Sequence, residues 1–205
     1  MGHVMTWQQN LQQFLAPRPD GQPPRLAIVG VGQALRGDDG VGPALAARLA
    51  AQLATRLAAN ALLILDASHA PENFLGPVVR FRPDAVLFLD AARGGGAPGD
   101  IVWLLPAEAD GRGGSTHALS LEMLADYLTA ETGAVVRVLG IEPSLPSSCS
   151  AGCQPASWPS LPSPPGRGLG RGPAEFPFGE GLSPAVAAAA DEVAMTLAAL
   201  ALLDT

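Results

Sequence analysis

Four loops of this chain carry side chains able to do chemistry. The first is Gly30-Val-Gly-Gln-Ala-Leu-Arg-Gly-Asp-Asp-Gly-Val-Gly42, with adjacent carboxylates at Asp38 and Asp39. The second is Asp66-Ala-Ser-His69, the third Asp90-Ala-Ala-Arg-Gly-Gly-Gly96, and the fourth Ser115-Thr-His117. One carboxylate from the first loop, Asp90 and the neutral imidazole of His117 would make an O, O, N donor set. Imidazole with carboxylate suits borderline divalent metals such as zinc or nickel. Three protein donors leave coordination positions open for a substrate or water. Simpler roles compete for each residue. One of Asp38 and Asp39 is expected to cap the helix that starts near Val41. Asp66 and Asp90 would alternatively bond loop amides, and His117 would be a capping or surface histidine.

Other chemistries are excluded or disfavoured. All 12 basic residues are Arg. There is no Schiff-base lysine, phosphate-loop lysine or Ser–Lys dyad. Gly30-x-Gly32 after a strand invites a dinucleotide reading, but Leu35 stands where the fingerprint needs its third glycine. Asp38 and Asp39 would repel a pyrophosphate there. No Gly-x-Ser-x-Gly elbow is present. The net charge of −7 offers no electrostatic footprint for nucleic acid, and no run of Arg forms a polybasic membrane patch. Cys149 and Cys153 are too few for a disulfide framework and read as incidental thiols. No secretory leader and no apolar run long enough to span a bilayer is seen, so a cytoplasmic protein is expected.

The loops need strands to position them. Short apolar runs ending in Gly or Asp predict strands at 26–30, 61–65, 85–89, 101–105 and 135–139. Leu45, Leu49, Leu53 and Leu57 make one stripe of a helix over 43–57. Leu121, Leu124, Ala125 and Leu128 share a face of a helix over 119–130, and an alanine-rich helix is expected over 184–203. A short helix over 7–15 falls in a polar N-terminal extension, 1–24. Strands alternating with helices predict an α/β layered domain around a largely parallel sheet, spanning 25–205. Within it, 143–173 holds eight Pro, seven Ser and five Gly without periodicity, the composition of a disordered insertion. In open parallel sheets ligands bind beyond the carboxyl ends of the strands, where the loops above converge.

The Gly30–Gly42 run resembles the signature of the hydrogenase maturation proteases, the endopeptidases that trim the large subunit of nickel–iron hydrogenases. Asp66-Ala-Ser-His-Ala-Pro-Glu-Asn73 is similar to the second-strand segment of the hydrogenase 3 branch. Leu89-Asp-Ala-Ala with Pro98-Gly-Asp-Ile101 resembles the third-strand segment. Ser115-Thr-His117, Leu139-Gly-Ile-Glu-Pro143 and Phe178-Gly-Glu-Gly-Leu-Ser-Pro184 continue the likeness in order, from about Leu26 to Leu203. The resemblance implies a three-layer α/β/α domain around a twisted, mostly parallel five-stranded sheet. It also implies Asp39, Asp90 and His117 as the metal-contacting residues, which selects Asp39 over Asp38. Gln33 stands where the family usually has Asn, and the 143–173 insertion falls where the family has a short loop.

By this resemblance the substrate is a hydrogenase large-subunit precursor that already carries nickel. The resemblance implies that one peptide bond near its C-terminus is cut, and for that step the acids at the strand ends lead us to expect Asp39 as general base toward water. The nickel belongs to the precursor rather than to this chain, which is expected to act as a monomer. Three alternatives differ in class. A nickel-site escort would use the same residues without cleavage. A dinucleotide-dependent oxidoreductase would bind cofactor at Gly30 and Gly32. A generic metallopeptidase would hold its own metal.

Overall fold

The computed structural model describes residues 5–53, 61–110, 120–144 and 181–200. The predicted residues His117, Leu57, Cys149 and Cys153, and the 143–173 insertion beyond Ser144, lie outside them. In chain order the elements are α1 (Trp7–Phe14), β1 (Leu26–Val31), α2 (Val41–Leu53), β2 (Leu62–Ser68), α3 (Leu75–Phe81), β3 (Ala85–Ala91) and β4 (Ile101–Leu104). Then come α4 (Pro106–Asp110), α5 (Leu121–Thr132), β5 (Val135–Ile141) and α6 (Pro184–Leu200). A 3₁₀ segment, Ala34–Gly40, runs directly into α2, and another, Pro71–Phe74, leads into α3.

The five strands form one sheet in the order β2-β1-β3-β5-β4, all parallel except β4, which runs antiparallel to β5. β1 is buried throughout and β3 is buried except at its last residue. This is why both read as unbroken apolar runs: a strand covered by helices on both faces has no polar side. Alternate residues feed two cores. Leu26, Ile28, Leu87 and Leu89 pack with Leu45 and Leu49 of α2 and Val186 and Val193 of α6. Ala27, Val29, Val86 and Phe88 pack with Val78 of α3 and Leu124 and Leu128 of α5. The result is the three-layer α/β/α arrangement.

Helix ends follow local chemistry. Ser120 caps α5 by accepting from the Met123 N–H at 3.2 Å, and Gly133 closes it in the left-handed region. Thr6 and Gln9 form a reciprocal capping box on α1. α1 lies in the segment expected to be an extension. Its Leu11 is fully buried in the first core, and Phe14 meets Trp103 of β4 edge-on at 5.4 Å. The core therefore reaches N-terminal of residue 25. Among the described residues no helix is long and apolar enough to cross a membrane.

Candidate active site at the β1 and β3 strand ends

β1 sits between β2 and β3, so the chain leaves β1 toward one neighbour and later returns on its other side. Such a reversal opens a crevice at the carboxyl ends of the strands. The loop after β1 folds back onto the strand ends. Gly32 has φ +130, and a Cβ there would run into the carbonyl oxygen of Asp39. Gly42, in the first turn of α2, is pressed between the backbones of Val31 and Leu89, with no room for a side chain. Those two close approaches need glycine. They set the Asp39 end of the loop against the end of β1, and the start of α2 against the residue before Asp90.

Each carboxylate at this edge holds main-chain N–H groups. The Gln33 N–H lies 3.1 Å from both the carbonyl oxygen and Oδ2 of Asp39. Asp90, buried at the end of β3 and paired in register with Gly140, accepts from the Ala91 N–H at 2.8 Å. Asp66 accepts from the N–H and the hydroxyl of Ser68, at 2.9 and 2.8 Å. Glu142, buried just past β5, accepts from Gly94 and, at 3.3 Å, from Gly96, tying down the loop that follows Asp90. These bonds fix the acid side chains in place, and an edge lined by several carboxylates suits a cationic ligand.

Asp38 behaves differently from its neighbour. Its carboxylate is buried and accepts from Ser144 through backbone N–H (2.9 Å) and hydroxyl. It also accepts from Ser183 through N–H (2.6 Å) and hydroxyl (2.9 Å). Burial alone would raise its pKa, but the bonds from Ser144 and Ser183 together hold it below the usual carboxylate value. The expectation that Asp38 or Asp39 caps α2 is corrected here. The Val41 N–H goes to the Asp38 carbonyl, because the 3₁₀ segment supplies the helix start itself. Among the described residues, the Asp38 and Asp39 side chains bond elsewhere.

Asp39 lies in the 3₁₀ segment that folds back on the end of β1, and Asp90 lies near the end of the neighbouring β3. His117 lies outside the described residues, and among those residues no three His, Cys, Asp or Glu side chains group closely enough to hold a metal ion. Two side chains escaped sequence reasoning. Asp38 was weighed only as a cap or a ligand, and its partners are 106 and 145 residues away. Glu142 stood in a family-like run, but nothing local pointed to Gly94 and Gly96.

No protein-family model matches the chain. Hydrogenase 3 maturation protease of Escherichia coli K12 is 34% identical over 116 residues, covering 56% of this chain and 70% of that protein. The crystal structure of the nickel–iron hydrogenase maturation protease HycI from Thermococcus kodakarensis is 28% identical. It superposes with a TM-score of 0.62 over 86% of this chain and 92% of that one. A crystal structure of a hydrogenase 3 maturation protease is 25% identical, with a TM-score of 0.57 over 83% and 86%. With 34% identity over 70% of the Escherichia coli protein and the same α/β/α fold, this chain belongs to the hydrogenase maturation protease family.

Proposed function

We propose that the protein is the endopeptidase that removes the C-terminal extension of a nickel–iron hydrogenase large-subunit precursor after nickel insertion. The observation that carries this reading is the 34% identity to a hydrogenase 3 maturation protease, in a chain that holds Asp39 in the loop after β1 and Asp90 near the end of the neighbouring β3. In this reading Asp39, Asp90 and His117 recognise nickel that the precursor already holds. The donor chemistry fits: two carboxylates and an imidazole are ligands nickel accepts. Asp90 is buried and the Asp39 carboxylate is partly exposed, so Asp39 is the acid better placed to take a proton from an attacking water. The precursor is the partner, the chain works as a monomer, and the reaction takes place in the cytoplasm.

A nickel-site escort is the second reading, since the same edge would bind without cutting. Mass analysis of the precursor separates the two. Incubation of nickel-loaded precursor with this protein is expected to shorten it by one fixed C-terminal peptide, and Asp39→Asn to slow that by about 10²-fold or more. A precursor of unchanged mass, recovered bound to the protein, would overturn the protease reading in favour of escort.

A further inference from the structure

The 3₁₀ segment before α2 is not a uniform helix. Arg36 (φ −109, ψ 35) and Gly37 (φ 59, ψ −122) break it in the middle. The front half is tied at Arg36, whose N–H bonds the Gln33 carbonyl at 2.9 Å. The back half carries Asp38 and Asp39, and its main chain is held by the Gln33 N–H on the Asp39 carbonyl and the Val41 N–H on the Asp38 carbonyl. Beyond these, four donors from two distant segments converge on the Asp38 carboxylate.

We infer that Asp38 is the positioning residue of this site, fixing Asp39 by clamping its segment to the exit of β5 and to the N-terminus of α6. Resting on the proposed protease reading, this assigns the two acids of the Asp-Asp pair separate tasks. Consecutive residues of a tight helical turn point in different directions. With Asp38 turned into the protein toward the two serines, Asp39 is left facing the Gln33 N–H.

The clamp needs a carboxylate and not merely a hydrogen-bonding side chain. The backbone N–H of Ser183 meets Oδ1, and that of Ser144 meets Oδ2. Neither can be rotated away. Asn at this position has one acceptor oxygen and one NH₂ group, so one backbone N–H would face another donor. The serine hydroxyls can turn to accept, but a main-chain amide cannot. The isosteric substitution therefore opens the clamp.

The test uses the full chain, with the nickel-loaded precursor of the same organism as substrate and amide exchange at Gln33 as a reading that needs no substrate. For Asp38→Asn, kcat is expected to fall on the order of tenfold to a hundredfold with little change in KM, as for a displaced catalytic group. Exchange at Gln33 is expected to accelerate, because its N–H is bonded to Asp39. The double variant Ser144→Ala with Ser183→Ala keeps the backbone donors and should show smaller effects in the same direction. A folded Asp38→Asn protein with unchanged kcat and unchanged Gln33 exchange overturns the inference. A loss confined to KM overturns it too, making Asp38 a substrate contact. If Asp38→Asn does not fold, the serine pair decides by the same two readings. A wild-type chain that leaves the precursor uncut overturns the protease reading instead, and the inference then stands or falls on Gln33 exchange.

Discussion

Ser183 donates both its backbone N–H and its hydroxyl to the carboxylate of Asp38, across 145 residues of sequence. Burial disfavours the Asp38 charge, and the bonds from Ser144 and Ser183 more than compensate, so its pKa is lowered. A carboxylate depressed in the folded state contributes stability that is present above its unfolded value of about 3.9. That stability is lost as pH falls through the lower folded value. Wild type is therefore expected to lose unfolding free energy more steeply than Asp38→Asn as pH drops below about 4. Urea unfolding at a series of acid pH values measures the slopes; parallel slopes would mean that the clamp carries no acid sensitivity.

Glu142 should be worth more to the loop after Asp90 than to the sheet. Its carboxylate takes the N–H groups of Gly94 and Gly96, and its own N–H and C=O pair with Asp100 and Gly99 through the main chain. Replacing it by Ala leaves the main-chain bonds and removes the charged acceptor. The expected cost is on the order of 2–4 kcal/mol, given the strength of hydrogen bonds to charged groups. Denaturant midpoints measure the cost, and accelerated exchange at Gly94 and Gly96 would localise it.

Gly42→Ala should be among the most damaging single-methyl changes in the chain. The added carbon would meet the carbonyl oxygens of Leu89 and Val31, which are backbone atoms held by the sheet. α2 would have to lift off β1 and β3, at about 3 kcal/mol or more. A thermal midpoint within one or two degrees of wild type would show that the helix yields more easily than this packing implies.

The N-terminal helix is expected to behave as part of the core. Leu11 is fully buried, so Leu11→Ala should cost about 2–5 kcal/mol. Gln8, on the same helix, bonds Glu192 of α6 at 3.1 Å in the open, and Gln8→Ala should cost under about 0.5 kcal/mol. Equal effects of the two changes would contradict the docking of α1.

Removing residues 145–173 should leave stability and cleavage close to wild type. Ser144 and Ser183 bind the same carboxylate, so the two flanks of this stretch already meet. Residues 174–180 would remain to join Ser144 to Gly181, a reach of some 20 Å or more when extended. Thermal melts and precursor trimming by the shortened chain measure the outcome, and loss of both would show that the stretch does more than connect.

How far the sequence reached depends on how local each cause is. The apolar runs that became β1 and β3 were legible because strands buried on both faces need no polar alternation. The leucine stripes of α2 and α5 were legible for the matching reason in helices. α3 was not: Gly76 and Pro77 stand inside its seven residues and erase the periodicity. The reversed direction of β4 was not legible either, since a four-residue apolar run has no polarity of its own. Asp90 was singled out by its place at a strand end, whereas Asp39 was separated from Asp38 only by the family resemblance. The Asp38 clamp was missed because its donors reach it only through the folded sheet.

The clamp also has a consequence in time. During synthesis β1 to β5 leave the ribosome before α6, and Ser183 arrives with the start of α6. Until that helix docks on α2, the Asp38 carboxylate lacks two of its four donors. The closure that supplies them joins residues 145 positions apart, and such a long-range contact carries a large loop-closure cost. A chain with its sheet built but its last helix undocked would carry both acids of the loop while the Asp38 carboxylate waited for the two Ser183 donors.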